Sequence, residues 1–335
     1  GIHAPTAFEK IEHDLSVEGE LPEDLHGTYV RNGPNALLAP SNLYHWFDGD
    51  GMVHAVHFEG GRADYRNRFI QTTGLLSEAS AGKALWPGVM GPVDAAGRDP
   101  FLKDTANTDI LWHNGALIAL WYLCGVPYRL DPVSLETLGP GDFGGQLATT
   151  VSAHPKVDER TGELVYFTLS DFEPPHMRYG VVSKEGELVH EIPIDLPGCR
   201  APHDITITEN FSILHDPSLF HDPEVLKENG YRVARFHRDI PTRFGVLPRR
   251  GRSDEVRWFE FEPCYVLHMV NAWEEGDWIV MDGCRQPDPQ IVRRPEEGVL
   301  ASMLGYLRIR SHLHRWRMNL RTGEAREEQL DDLNV

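Results

Sequence analysis

Apolar runs of strand length recur along the whole chain. They read MVHAVHFE (52–59), ALIALWYL (116–123), ELVYFTLS (163–170), DITITEN (204–210), DWIVMDG (277–283) and LHRWRMNL (313–320). Each is too short for a core helix, and several alternate in the two-residue rhythm of a half-buried strand. The turn signals NGPN, DGDG, EGG, HNG, RTGE, KEGE and EEGD lie between such runs. Several would close antiparallel hairpins directly. The prediction is an all-β chain of blade-like antiparallel units, with a period too irregular for a WD40 or kelch array. Two stretches, 72–100 and 217–243, break the pattern. They read as helical or irregular insertions above one face of the β scaffold, where long loops carry function. No linker or shift in composition divides the sequence, so residues 1–335 are expected to form a single domain.

Composition narrows the partners. With 32 basic against 51 acidic side chains the net charge is −19, a field that repels phosphate backbones, so nucleic acid is excluded as a partner. Cys124, Cys199, Cys264 and Cys284 form no CxxC pair and are expected to be reduced. No apolar run approaches the roughly 18–20 residues of a membrane span, and the N-terminus GIHAPTAFEK lacks the pattern of a signal peptide. A cytosolic setting is the expectation.

Seventeen histidines exceed ordinary usage, and three have a distinctive context. His154 lies in TTVSAHPKVD, His203 in CRAPHDITITEN and His268 in PCYVLHMVNAWEEGD. Each borders an apolar strand beside a turn-prone residue. Any one alone reads as a core or surface histidine. Their separations of 49 and 65 residues exclude a local zinc finger or an HExxH helix, so they can meet only through the fold. A propeller or barrel brings distant strands to one axis. An all-imidazole donor set suits Fe, Cu, Zn or Ni and not Mg or Ca. No GxSxG elbow, P-loop or GxGxxG is present. Asp204 beside His203 does not form a dyad with it, because neighbours on a strand point to opposite faces.

At these residues the sequence resembles the carotenoid cleavage oxygenase family. The resemblance is carried by GELPEDLHGTYVRNGPN (19–35), HWFDGDGMVHAVHFEGGRADYRNRFIQTT (45–73), TANTD (105–109), PYRLDPVSLETLG (127–139), the three histidine contexts and the NAWEEGD box. It implies a seven-bladed β-propeller, about five blades of which fall within these residues, with Fe(II) on the axis bound by four histidines. His154, His203 and His268 match three of them. The fourth, and most glutamates that orient the ligands, are expected beyond residue 335. His312 and His314 fall in a strand where the family's histidine is structural. Asn271, Glu274 and Glu275 are expected to be structural as well. Where relatives place the first orienting glutamate this chain has Tyr122 or Leu123. Trp121 or Tyr122 stands where stilbene-cleaving members have a lysine, which disfavours a phenolic stilbene. Thr108 matches a threonine that crowds an open iron position. Its alternative is a turn threonine bonded to its own backbone.

The implied reaction inserts both atoms of O₂ across one double bond of a lipophilic conjugated substrate, giving two carbonyl products. Alternatives are a metal-dependent retinoid-type isomerase of the same family and a propeller that binds without catalysis. Leu75, Leu76, Leu85, Trp86, Met90 and Phe220 are expected to form an apolar roof over the metal end. Apolar exposure at a tunnel mouth would give peripheral membrane contact.

Overall fold

The computed structural model describes residues 4–6, 8–38, 45–89, 91, 92, 102–123, 125–147, 150–170, 173–221, 228, 230 and 232–334. Two compact units, Gly1–Ala153 and His154–Val335, are taken in turn.

The first unit holds two four-stranded antiparallel sheets. Strands β1 (Ile11–Glu12), β2 (Gly27–Pro34), β3 (Gly51–Glu59) and β4 (Arg62–Phe69) lie in the order β1-β4-β3-β2. Strands β5 (Asp109–His113), β6 (Ala116–Leu120), β7 (Tyr128–Leu130) and β8 (Thr137–Pro140) follow in sequence order. The β5–β6 hairpin turns on Asn114 (φ 45°) and Gly115 (φ 74°), two consecutive left-handed residues that match the right-handed strand twist. Every residue of β6 is buried, the pattern of a strand covered on both faces, and Leu117 and Ala119 join Val53, Ile70 and Leu130 in the core.

The boxes singled out in the sequence hold each other here. Asn107 of TANTD donates from Nδ2 to the Phe47 and Gly49 carbonyls at 3.1 and 2.6 Å, while Asn32 of RNGPN donates to the Ala106 and Asp109 carbonyls at 2.7 and 3.1 Å. Gly51 of DGDGM must be glycine, because a Cβ would sit 2.8 Å from the Thr105 and Ala106 carbonyls.

The insertion at 72–100 begins as expected with helix α1 (Thr73–Ala81), capped by the Thr72 hydroxyl, which accepts the Leu75 N–H at 3.0 Å. Helical spacing turns Leu75 inward against Met52 and Phe69, so it is core and not roof, while Leu76 faces outward, 52% exposed. Leu85 is partly buried. Trp86 lines a small cavity floored by Asp48, Glu78 and Lys103. Met90 lies outside the described residues, as does Cys124.

The second unit holds three such sheets. Strands β9 (Lys156–Val157), β10 (Leu164–Leu169), β11 (Met177–Val182) and β12 (Leu188–Ile194) pair in sequence order. Next come β13 (Thr206–Ile207), β14 (Phe211–Asp216), β17 (Thr242–Pro248) and β18 (Arg257–Phe261). The third sheet is β19 (Tyr265–Glu275), β20 (Trp278–Gln286), β21 (His312–Asn319) and β22 (Ala325–Gln329), with the short helix α2 (Ala301–Tyr306) between β20 and β21. Phe244 and Phe259 of the second of these sheets pack with Met281, Trp316 and Met318 of the third in one core.

The described ends of 217–243 differ from the expectation of a helix or irregular loop. They form a two-stranded ribbon, β15 (Leu219–His221) with β16 (Ala234–Phe236), inserted between β14 and β17. Strands of three residues are too short to show a sequence period. Phe220 lies between the Arg200 guanidinium, 4.1 Å away, and the His237 ring, stacked at 4.0 Å.

Cys199 and Cys264 are buried and Cys284 partly so, all three as free thiols. Burial pushes the Cys264 thiol up to about 11, which keeps it protonated and inert. No helix among the described residues is long and apolar enough to cross a membrane.

Candidate metal centre

Each of the three histidines stands at or just before the first strand of a successive sheet in the second unit. His154 precedes β9, His203 precedes β13, and His268 lies within β19. A short parallel bridge joins His154 to Asp204, so these entering segments run side by side and point their rings to one place. The topology thus brings together residues 49 and 65 positions apart in the sequence.

Convergence is close. One ring nitrogen from each of His154, His203 and His268 lies within 4.8 Å of the others. Ring centroids are 4.7 Å apart for His154–His203, 5.1 Å for His154–His268 and 5.2 Å for His203–His268. The Nε2 atoms of His154 and His203 face one another at 3.0 Å. Two neutral imidazoles bound at right angles to one cation at about 2.1 Å would have their nitrogens about 3.0 Å apart. His203 is buried, and that burial, with His154, His268 and Lys156 nearby, drives its pKa well below the ordinary histidine value. It is therefore the neutral donor a metal requires. His268 is exposed and marks the open side of the group. The donor set fits a late first-row metal and offers nothing to Mg or Ca.

The neighbouring boxes have structural work. Glu274 accepts the Thr208 hydroxyl at 2.7 Å and the Asn210 backbone N–H at 2.8 Å, locking the ITEN turn to the NAWEEGD strand. Glu275 accepts the indole N–H of Trp273 at 2.7 Å and pairs with Arg317 at 2.9 Å. His314 in β21 meets the Glu327 carboxylate at 3.0 Å, and neither it nor His312 joins the converging group. In the first unit, Thr108 donates to Asn107 Oδ1 at 3.1 Å and accepts the Tyr122 N–H at 3.0 Å. The ring of Tyr122 packs on Phe47 at 4.6 Å.

One residue that sequence reasoning set aside is prominent. The buried carboxylate of Asp204 receives three donors from around the group. The sole signal in the sequence was an acidic residue at the head of the DITITEN run, next to His203.

The profile of the retinal pigment epithelial membrane protein family matches residues 3–335. The carotenoid 9,10(9',10')-cleavage dioxygenase of Crocus sativus is 35% identical over 343 residues, covering 95% of this chain and 61% of that protein. The isoeugenol monooxygenase of Pseudomonas nitroreducens is 36% identical over 286 residues, 84% of this chain and 59% of that one. The chain thus spans about three fifths of the length of these curated relatives. Among solved structures, the lignostilbene dioxygenase of Pseudomonas brassicacearum superposes with a TM-score of 0.84 at 31% identity, covering 98% of this chain and 69% of that one. Cobalt-substituted Synechocystis ACO superposes at 0.82 with 28% identity, covering 97% and 71%. The chain therefore belongs to the retinal pigment epithelial membrane protein family, that of the carotenoid oxygenases, and its four-stranded sheets are those of the family's β-propeller.

Proposed function

We propose that the protein is a non-haem Fe(II) dioxygenase that cleaves one carbon–carbon double bond of a carotenoid, apocarotenoid or related conjugated alkene into two carbonyl products. The observation that carries this reading is the meeting of His154, His203 and His268, from three successive sheets, in a chain 35% identical to a carotenoid cleavage dioxygenase. Iron, when bound there, supplies the activation of dioxygen that a closed-shell alkene cannot achieve alone. The protein's own share is binding, positioning and exclusion of water. The oxygenase names of the relatives favour this reading over the isomerase and over a non-catalytic module.

Thr108 is the proposed residue that restricts the open position, its hydroxyl held in one orientation by Asn107 and the Tyr122 N–H. For the substrate, Phe47, Trp121 and Tyr122 form an aromatic cluster with centroids 4.6 Å (Phe47–Tyr122) and 5.7 Å (Trp121–Tyr122) apart. It offers apolar surface and no cation where the resemblance places a phenol-gripping lysine, which favours a polyene. Isoeugenol and lignostilbene are phenolic alkenes, so relatedness alone leaves both classes in play. We read residues 1–335 as part of one propeller domain in a cytosolic protein that takes its substrate at a membrane surface.

The test is turnover of the iron-loaded protein under ¹⁸O₂ with an apocarotenoid and a hydroxystilbene in parallel. Label in both aldehyde products of the apocarotenoid is expected. Cleavage of the stilbene alone would refute the polyene assignment, and metal-independent cleavage would refute the site.

A further inference from the structure

The three ligand-bearing segments share a single buried carboxylate. Asp204 is 3% exposed. Its Oδ1 accepts the Ile205 backbone N–H at 2.8 Å and the Lys156 ammonium at 2.6 Å. Its Oδ2 accepts the Met269 backbone N–H at 2.9 Å. Ile205 is two residues from His203, Lys156 two from His154, and Met269 one from His268. Every donor thus comes from the immediate neighbourhood of a different candidate ligand.

The third bond has a structural origin. Strand β19 is out of step with β20 on both sides of Met269, pairing Val266 with Arg285, Met269 with Gly283 and Asn271 with Asp282. Each shift inserts one extra residue, the signature of a β-bulge, which re-aims a side chain and interrupts the ladder. His268 lies in the first of these bulges. The irregular ladder lets the Met269 N–H turn to Asp204, which gives a buried amide the partner that the ladder withholds. On the opposite side, the parallel bridge between His154 and Asp204 and the Lys156 ion pair fix the His154 segment to the same residue.

We propose that Asp204 is the positioning residue of the three-histidine site, a clamp that sets the spacing of the imidazoles by tying the His154, His203 and His268 segments to one carboxylate. Lys156 is its charge partner, and with the Ile205 and Met269 amides it occupies both carboxylate oxygens. The proposal rests on the metal-site reading above and assigns the site a support that reaches the ligands through their backbones. Support through the far ring nitrogen is the usual alternative, and the two are separable because they involve different atoms.

The test uses the full 335-residue chain, stripped of metal and titrated with Co(II), whose visible absorption reports ligand number and geometry. The unaltered chain, Asp204→Asn, Lys156→Met and Lys156→Arg are compared by titration and by circular dichroism melting. Asp204→Asn keeps the size of the side chain but presents an amide to a donor, either Met269 N–H or Lys156. The expected result is one Co(II) bound by the unaltered chain, affinity lowered about 10-fold or more in Asp204→Asn with an altered visible band, and a smaller change of the same kind in Lys156→Met. Lys156→Arg restores the band. Lys156→Met carries the comparison if Asp204→Asn fails to fold. Unaltered affinity and band in a folded Asp204→Asn, or in Lys156→Met where only that variant folds, would overturn the clamp while leaving the metal site standing. Absence of Co(II) binding by the unaltered chain would overturn the site and the clamp with it.

Discussion

At the scale of single residues, chemistry shows most clearly where a polar group is buried. His215 on β14 is 1% exposed, stacks on Phe244 at 5.0 Å, and neither ring nitrogen has a hydrogen-bond partner. Burial alone lowers its pKa to about 3. An unfolded histidine titrates near 6.5. The folded-state value is the lower one, so the neutral form is favoured by folding. Stability is full above pH 6.5 and declines as pH falls toward 3, because the unfolded chain gains a proton that the folded chain refuses. The drop is on the order of 4 kcal/mol over that range. Replacing His215 with Leu should leave stability at pH 7 within about 1 kcal/mol and flatten its decline in acid. Urea melts between pH 7.5 and 4 measure this, and parallel decline in both proteins would contradict it. The three converging histidines stood out in the sequence because each borders an apolar strand. Asp204 was not, since a role exerted through three backbone segments has no local pattern.

At the scale of elements, each apolar run named in the sequence contains a strand, although DITITEN keeps only Thr206–Ile207, and HNG, KEGE and EEGD became the hairpin turns of β5–β6, β11–β12 and β19–β20. Periodicity could show this because each run contains its own evidence. It could not show the bulges of β19, which depend on the partner strand, nor the β15–β16 ribbon, whose strands are three residues long. The link between Glu274 and the ITEN turn is the element-level feature most open to test. It joins β19 to the β13–β14 turn through bonds of 2.7, 2.8 and 3.0 Å to one carboxylate. Changing Glu274 to Ala should cost about 1–3 kcal/mol by leaving those donors to compete for water. Metal affinity should be unchanged, because Glu274 contacts none of the three histidines' neighbours that Asp204 holds. A denaturant melt paired with a Co(II) titration checks both halves. A loss of affinity without loss of stability would move Glu274 from scaffold to site.

At the scale of the whole molecule, five four-stranded antiparallel sheets are present among the described residues, three of them carrying one of the converging histidines at or just before their first strand. Repetition of one meander is what allows residues far apart in sequence to share a centre, and the sequence implied it through scattered histidines that no local motif could join. The family follows from the resemblance and the comparisons together. The substrate does not, because it depends on how a cavity is shaped by residues whose apolar character fits core and binding wall equally, as Leu75 illustrates. The central claim is that His154, His203 and His268 hold one metal. Elemental analysis after anaerobic Fe(II) loading and desalting tests it most directly, on the parent chain and on the His154→Ala, His203→Ala and His268→Ala variants. The account predicts iron retained by the parent and lost in large part from each folded variant. Iron retained at the parent's level by His203→Ala, whose ring is the most buried of the three, would contradict it.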